Sequence, residues 1–430
     1  MSLERLQAFV TEANLSNSSN DKKLVIEKYP DCKQYWVYAY DSINYRYGVT
    51  SNQLKKKHDK VANVCPYPDL PSILEALNRR DITGHLAISI VNKFTTDNPE
   101  YTDLVHCVID RNLKTRTDAK LINKVFPDTI ETFDVALAES YDEKTSKSVT
   151  WNGEWLCSRK LDGCRCLVLI DDVGEVTIKS REGLPFLTLG KVIDSVNTLV
   201  LTNFVLDGEI CMVDENGDEE FQLIMKYIRK KDYTIPNPRF KIFDGLPLDK
   251  FEELYYDVPL VQRLIKLLDI IPKDDPVLTL LKQTRMKSIE QFELLRNEAI
   301  ELGWEGLILR KNAPYQGKRS NDMLKVKKFE DAEYVVDSVV TDTFRYIDPI
   351  TNLEVEALML ASVSITHKGN PVGVGSGFGL RQRMHFHEHP EEIIGKVITV
   401  RYFEETTDEN GKKSLRFPTV KVIHGDERTT

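Results

Sequence analysis

Lys160-Leu161-Asp162-Gly163-Cys164-Arg165 lies between two apolar, strand-like runs, EWLCSRKL (154–161) and CRCLVLI (164–170). Its tight Asp-Gly turn presents a lysine at the end of a strand. On a pocket floor, desolvation and neighbouring cations lower an ammonium's pKa far enough to free an amine nucleophile. Spacing alone leaves a second reading open, since charged turn residues at strand ends are common.

Other segments point toward the same place. Leu206-Asp207-Gly208-Glu209 follows an apolar strand, and Glu305-Gly306 opens another, Leu307-Ile308-Leu309. Two carboxylates projecting from strand ends suit Mg2+ held partly through waters and substrate phosphate, although either glutamate alone reads as a surface residue. Phe240-Lys241-Ile242-Phe243-Asp244 alternates, which sets an aromatic face against a base or simply fills the core. Lys325-Val326-Lys327 alternates too, placing two ammonium groups on one strand face, as a phosphate clamp requires or as a solvent-facing edge strand would.

The periodicity divides the chain in three. LPSILEALNRR, GHLAISIVNKF and LVHCVIDRNL carry apolar residues at helical spacing within residues 1–128. From 129 to 331, short runs rich in β-branched and aromatic residues alternate with helical stretches such as VQRLIKLLDII, an α+β pattern. From 332 to 430 the pattern is nearly all strand, with glycine-rich GVGSGFG between, which suggests a small barrel of the oligonucleotide-cradling kind. DENGDEE (214–220) reads as a loop, and His385-Phe386-His387-Glu388-His389 as a solvated loop between barrel strands; only on a strand would its histidines share a face at metal-ligand spacing.

Composition agrees with a multidomain globular protein. The 430 residues suggest roughly two to four domains, and 41% hydrophobic with 29% charged residues is wrong for a disordered chain. There is neither a long apolar run nor a secretory pattern, and the seven cysteines offer no CxxC pair, so a reducing compartment, most simply cytoplasm, is expected. The net charge of -9 argues against a nucleic-acid partner until it is divided. Residues 1–128 hold 18 basic and 16 acidic groups and cluster Arg111, Lys114, Arg116, Lys120 and Lys124. A phosphate backbone needs such a local stripe rather than a positive total, although solvated helix faces give the same pattern.

In this order the segments resemble the motifs of the covalent nucleotidyltransferases, and most closely the ATP-dependent DNA ligases of tailed bacteriophages: KLDGCR, SREG (180–183), LDGE, KIFDG, EGLILR and LKVKKF. ALAESYDEK and RNLKTRTDAKLINKVFP are similar to the corresponding phage-ligase stretches. The resemblance implies an N-terminal all-α DNA-binding domain, a central α+β nucleotidyltransferase (ATP-grasp-like ligase) domain and a C-terminal OB-fold β-barrel. It implies a monomer that seals 5′-phosphate/3′-hydroxyl nicks in duplex DNA, in replication, repair or recombination, using ATP and Mg2+. Carried over, Lys160 becomes the adenylated nucleophile, Glu305 and Glu209 hold the metal, and Arg165 and Glu209 meet the ribose. Phe243 stacks on adenine, Lys325 and Lys327 hold the α-phosphate, Arg181 grips the nick 5′-phosphate, and the cluster from Arg111 to Lys124 contacts DNA.

The family's last motif begins here as Arg416-Phe417-Pro418, but its terminal basic residues are replaced or displaced, leaving Lys421 or Arg428 as substitutes. An RNA ligase, a capping nucleotidyltransferase and a non-catalytic DNA-end-binding scaffold are the competing readings.

Overall fold

The computed structural model describes residues 2–212, 221–230, 232–327, 330–348, 354–403, 405–407 and 411–425. The loop expected at 214–220 lies outside them, as does Arg428. The chain forms two compact units: Met1–Thr132 with Val339–Ser362 and Phe378–Ile393, and Phe133–Ser338 with Val363–Gly377 and Ile394–Thr430. The barrel-like segment predicted from residue 332 onward is thus shared between them.

In the first unit, helices Leu3–Ala13, Ser19–Lys28, Lys33–Tyr40, Ser51–Lys56, Leu70–Asn78, Gly84–Asp97, Thr102–Ile109 and Ala119–Val125 follow one another. Their starts are written locally. Ser18 accepts from the Asp21 N–H, Asp69 from Ser72 and Asp118 from Leu121, while Thr50 and Gln53 close a capping box; each cap satisfies an amide the helix itself cannot. Phe9, Tyr35, Trp36, Ile26, Ile73 and Leu74 fill the core. Because these helices are short, this shared burial rather than intrinsic propensity holds them.

The second unit is built on two five-stranded sheets. One runs in the order Leu137–Ser140, Arg319–Lys327, Gly306–Lys311, Trp155–Arg159, Thr284–Met286; the other Val176–Ser180, Cys164–Ile170, Phe204–Met212, Pro238–Pro247, Leu278–Leu280. Residues 160–163 are the crossing from the first sheet to the second. Cys166, Val168, Leu206 and Ile242 pack on one face of the second sheet, and Leu167, Val205 and Leu246 on the other. Burial on both faces explains why CRCLVLI is a continuous apolar run rather than an alternating one. In the first sheet Leu324 and Val326 point into the core with Leu307, Leu309 and Trp155, so Lys325 and Lys327 face the opposite way.

A third five-stranded sheet runs in the order Asn370–Val374, Glu354–His367, Glu330–Ile347, Val397–Tyr402, Thr419–Ile423. The histidine run is corrected here. Residues Leu380–Glu388 are an α-helix, not a loop, followed by a 3-10 turn at Pro390–Glu392. Gln382 satisfies the Gly379 amide at its start, and Pro390, lacking an N–H, cannot extend it.

Asp244 is fully buried, yet Arg263 binds both its oxygens (2.8 and 2.9 Å) and Arg310 adds a further bond. The two guanidiniums hold its carboxyl well below the usual range. Asp244→Asn should cost about 3–5 kcal/mol, because two buried cations lose their counter-charge; urea unfolding measures this, and a cost near zero would mean that the arginines find other partners.

Candidate active site and nucleic-acid interface

The crossing between the sheets is fixed by backbone before any side chain acts. Lys160 N–H donates to the Gly306 carbonyl (2.8 Å), tying the crossing to the strand that begins beside Glu305. Gly306 has φ 145°, and a Cβ there would stand 2.0 Å from the Val326 carbonyl oxygen; at Gly163 a Cβ would stand 2.4 Å from that of Ile210. Only glycine fits either position.

Charged side chains then meet at the seam. Lys160 Nζ donates to Glu305 Oε2, and Lys327 Nζ lies 3.2 Å from Glu305 Oε1. Glu305 is 7% exposed, so two cations share one nearly buried carboxylate. Lys325 pairs in register with Ile308, and Lys327 with Gly306, along that strand. Burial, with Arg319, Lys327 and Lys160 nearby, lowers the Lys325 ammonium pKa. On the second sheet Arg165 stands in register with Glu209. Burial raises the Glu209 carboxyl to about 7, against the pull of Arg165 and Lys160.

Lys160, Glu305, Lys325, Lys327, Arg165, Glu209 and Phe243 all belong to the second unit. Arg165 is engaged: its guanidinium takes Asp207 through two 2.6 Å bonds and lies 4.8 Å over the Phe243 ring. Arg310 donates to the Phe243 carbonyl (2.6 Å) as well as to Asp244, so this buried ion cluster also holds the aromatic ring in place. Asp207, Asp244 and Arg310 were not singled out from sequence. The available signal was an aspartate inside an apolar strand, which must find a cation to stay there.

Two further groups join from the C-terminal segment. Arg416 donates to both Asp162 oxygens (3.2 and 3.3 Å), and Lys327 Nζ lies 4.6 Å over the Phe417 ring. Lys421, one of the two substitutes considered, bonds Asp331 at 2.6 Å. Arg181, in the turn after Val176–Ser180, is exposed and pairs with its neighbour Glu182 (2.7 Å).

The basic cluster belongs to the helical unit. Arg111, Lys114 and Arg116 all have φ between 54° and 57°, three left-handed residues within six, a conformation that persists only where the surroundings enforce it. Buried Lys22 does so by donating to the Thr115 and Ala13 carbonyls, while the Tyr40 hydroxyl meets Thr117 Oγ1 at 3.0 Å. Arg111 donates to the Tyr45 carbonyl (3.1 Å), and Lys114 pairs with Glu356 (2.6 Å). Arg116, Lys120 and Lys124 are exposed. A phosphate that meets Lys114 must displace its Glu356 carboxylate.

Comparison with known proteins adds independent findings. Residues 135–327 match the family model "ATP dependent DNA ligase domain", and 355–423 match "DNA ligase OB-like domain", together more than half of the chain. A DNA ligase of Archaeoglobus fulgidus is 31% identical over 202 residues, 44% of this chain and 34% of that protein. One of Thermococcus onnurineus is 27% identical over 296 residues, 62% of this chain and 51% of that protein. The matches thus span a third to a half of these relatives. The solved structure named "Pmar-Lig_PreS3" covers 98% of this chain and 99% of its own at TM-score 0.80 and 23% identity, a likeness of fold.

Because burial raises the Glu209 carboxyl, its ionisation destabilises the fold: the cost is absent below the ordinary carboxylate range and complete above pH 7. Glu209→Gln should therefore gain on the order of 2 kcal/mol relative to the parent between about pH 5 and 8. Urea midpoints at both pH values measure it, and an unchanged difference would refute the raised carboxyl.

Proposed function

Because the chain belongs to the ATP-dependent DNA ligase family, we propose that it seals nicks in duplex DNA through a lysyl-adenylate on Lys160. The observation that carries this reading is the meeting of Lys160 and Lys327 on the nearly buried Glu305, with Lys325 on the same strand face as Lys327.

The Lys160 amine, freed of its proton, attacks the α-phosphorus of ATP; the P–N bond forms as the bond to pyrophosphate breaks. In the second step the 5′-phosphate of the nick takes the AMP, breaking P–N and forming a phosphoanhydride. The adjoining 3′-hydroxyl then attacks that 5′-phosphate, AMP leaves, and the phosphodiester closes. All three are phosphoryl transfers, in which positioning and neutralisation of phosphate charge supply most of the rate. Lys325 and Lys327 hold the α-phosphate from one strand face, Phe243 stacks on adenine, and Arg165 and Glu209 face the ribose. Arg181 holds the 5′-phosphate.

The donor set also fits a hard dication. Glu305 is a nearly buried carboxylate already balanced by cations, and Glu209 is a carboxyl that burial leaves poised for a cation to ionise. Bound there, Mg2+ would neutralise charge on the transferring phosphate.

The division at residues 128 and 331 assigns duplex binding to the helical segment and closure over the DNA to the terminal one, within a monomer. Backbone phosphates are the main target, since a nick-sealing enzyme accepts any sequence. The left-handed loop from Arg111 to Arg116 supports this, because a backbone already held in one conformation loses little entropy on meeting phosphate.

Incubation with labelled ATP and magnesium should yield a covalent adduct that Lys160→Ala lacks and that nicked DNA discharges into sealed product. An adduct that only RNA discharges would favour an RNA ligase, one formed only from GTP a capping enzyme, and no adduct a scaffold.

Replacing Arg116, Lys120 and Lys124 by alanine should weaken DNA binding and reduce its salt slope by roughly 0.9 for each phosphate that is no longer neutralised. Lysyl-adenylate formation should stay intact. An unchanged slope would place the DNA surface elsewhere.

A further inference from the structure

We propose that His385, His389, Glu391 and Glu392 form a binding site for a transition-metal dication, best matched by Zn2+, separate from the phosphoryl-transfer centre. The helix Leu380–Glu388 carries His385 near its end, and the His389 N–H closes its last turn on the His385 carbonyl (2.8 Å). Spacing of i, i+4 therefore puts both imidazoles on one face, with ring centroids 5.2 Å apart. Pro390 then ends the helix, and the 3-10 turn folds back, with Glu392 N–H on the His389 carbonyl (3.1 Å) and Ile393 fully buried beneath it.

That turn delivers two carboxylates to the same face. Glu392 Oε2 is 2.8 Å from His385 Nε2, and Glu391 Oε1 is 3.5 Å from His389 Nδ1. Ligand atoms of His389, Glu391 and Glu392 lie within 4.8 Å of one another. Bonds of about 2.0–2.2 Å around a tetrahedral zinc bring donors roughly 3.4 Å apart. All four side chains are exposed, so their rotamers can change without disturbing the core. The ion replaces the His385–Glu392 hydrogen bond.

Donor chemistry selects the metal. Two imidazole nitrogens with two carboxylate oxygens suit Zn2+ and its neighbours, whereas Mg2+ and Ca2+ prefer all-oxygen shells. The site therefore discriminates against the magnesium that ligation would use. A bare pair of exposed His–Glu contacts would contribute only about 0–1 kcal/mol, so the consequence of the cluster lies in the ion. Its anchor is structural: Arg383, on the same helix, donates to the Leu360 (2.7 Å) and Ala361 (3.1 Å) carbonyls and lies 4.8 Å over the Phe344 ring. A bound zinc clips the end of that helix to its own following turn.

The test uses the full chain, stripped with chelator and titrated with Zn2+ in excess Mg2+ by calorimetry, with bound metal counted by elemental analysis. The parent should bind one zinc equivalent more than the His389→Ala/Glu392→Gln double variant, and zinc should raise its thermal midpoint while leaving the variant's unmoved. Single variants His385→Gln and His389→Gln should each weaken binding at that site at least about tenfold; all the altered side chains are exposed, and circular dichroism checks that they fold. Equal zinc content and affinity in parent and double variant, or no zinc bound by the parent, would overturn the site.

Discussion

A charge can stay in a protein interior only where an opposite charge or a set of donors replaces the water it has lost. The seam between the two sheets of the second unit meets that condition repeatedly: Glu305 against Lys160 and Lys327, Asp207 against Arg165, Asp244 against Arg263 and Arg310. None of these pairs is local in sequence. Each therefore constrains which strands adjoin, and the register Gly306↔Lys327 and Arg165↔Glu209 carries that constraint along the strands. Ion pairs of this kind add little net stability against apolar alternatives, so their value lies in the geometry they impose.

The same pairing accounts for the poise of the site. Lys160 rests on Glu305, which lends the amine a counter-charge that a phosphate group could take over. Glu209 has no such compensation in full, and its carboxyl is correspondingly raised. Around them Arg310 links the ion cluster to Phe243, so a perturbation of Asp244 reaches the aromatic wall through two hydrogen bonds.

In the helical unit a different constraint operates. Lys22, which composition alone would place in solvent, is buried beneath the loop that presents Arg116. Its ammonium satisfies the Thr115 carbonyl of that loop, which holds three left-handed residues, and the Ala13 carbonyl at the end of the first helix. A basic surface thereby rests on a rigid base. Glu356 adds a carboxylate that already sits on Lys114, the position a phosphate would take.

Periodicity and local chemistry were enough to read the helices Leu70–Asn78, Gly84–Asp97, Thr102–Ile109 and Leu260–Ile270, the central strands, and the shared face of Lys325 and Lys327, because these follow from neighbours two to four residues apart. The ordered motifs likewise named Lys160, Glu305 and Glu209, of which the fold sets Lys160 on Glu305. Sequence could not say that Arg165 would be held by Asp207, that Arg111 would bond the Tyr45 carbonyl, or that Arg416 would rest on Asp162, since those partners lie from 42 to 254 residues away. The histidine run went wrong for a related reason: alternation of His and Phe is compatible with strand, loop or helix, and the choice was made by Arg383 and Ile393 packing in the folded unit. What the chain alone determines is which groups are available and on which face of their own element; which of them meet is decided by tertiary burial, because only there does losing water make one particular distant partner necessary.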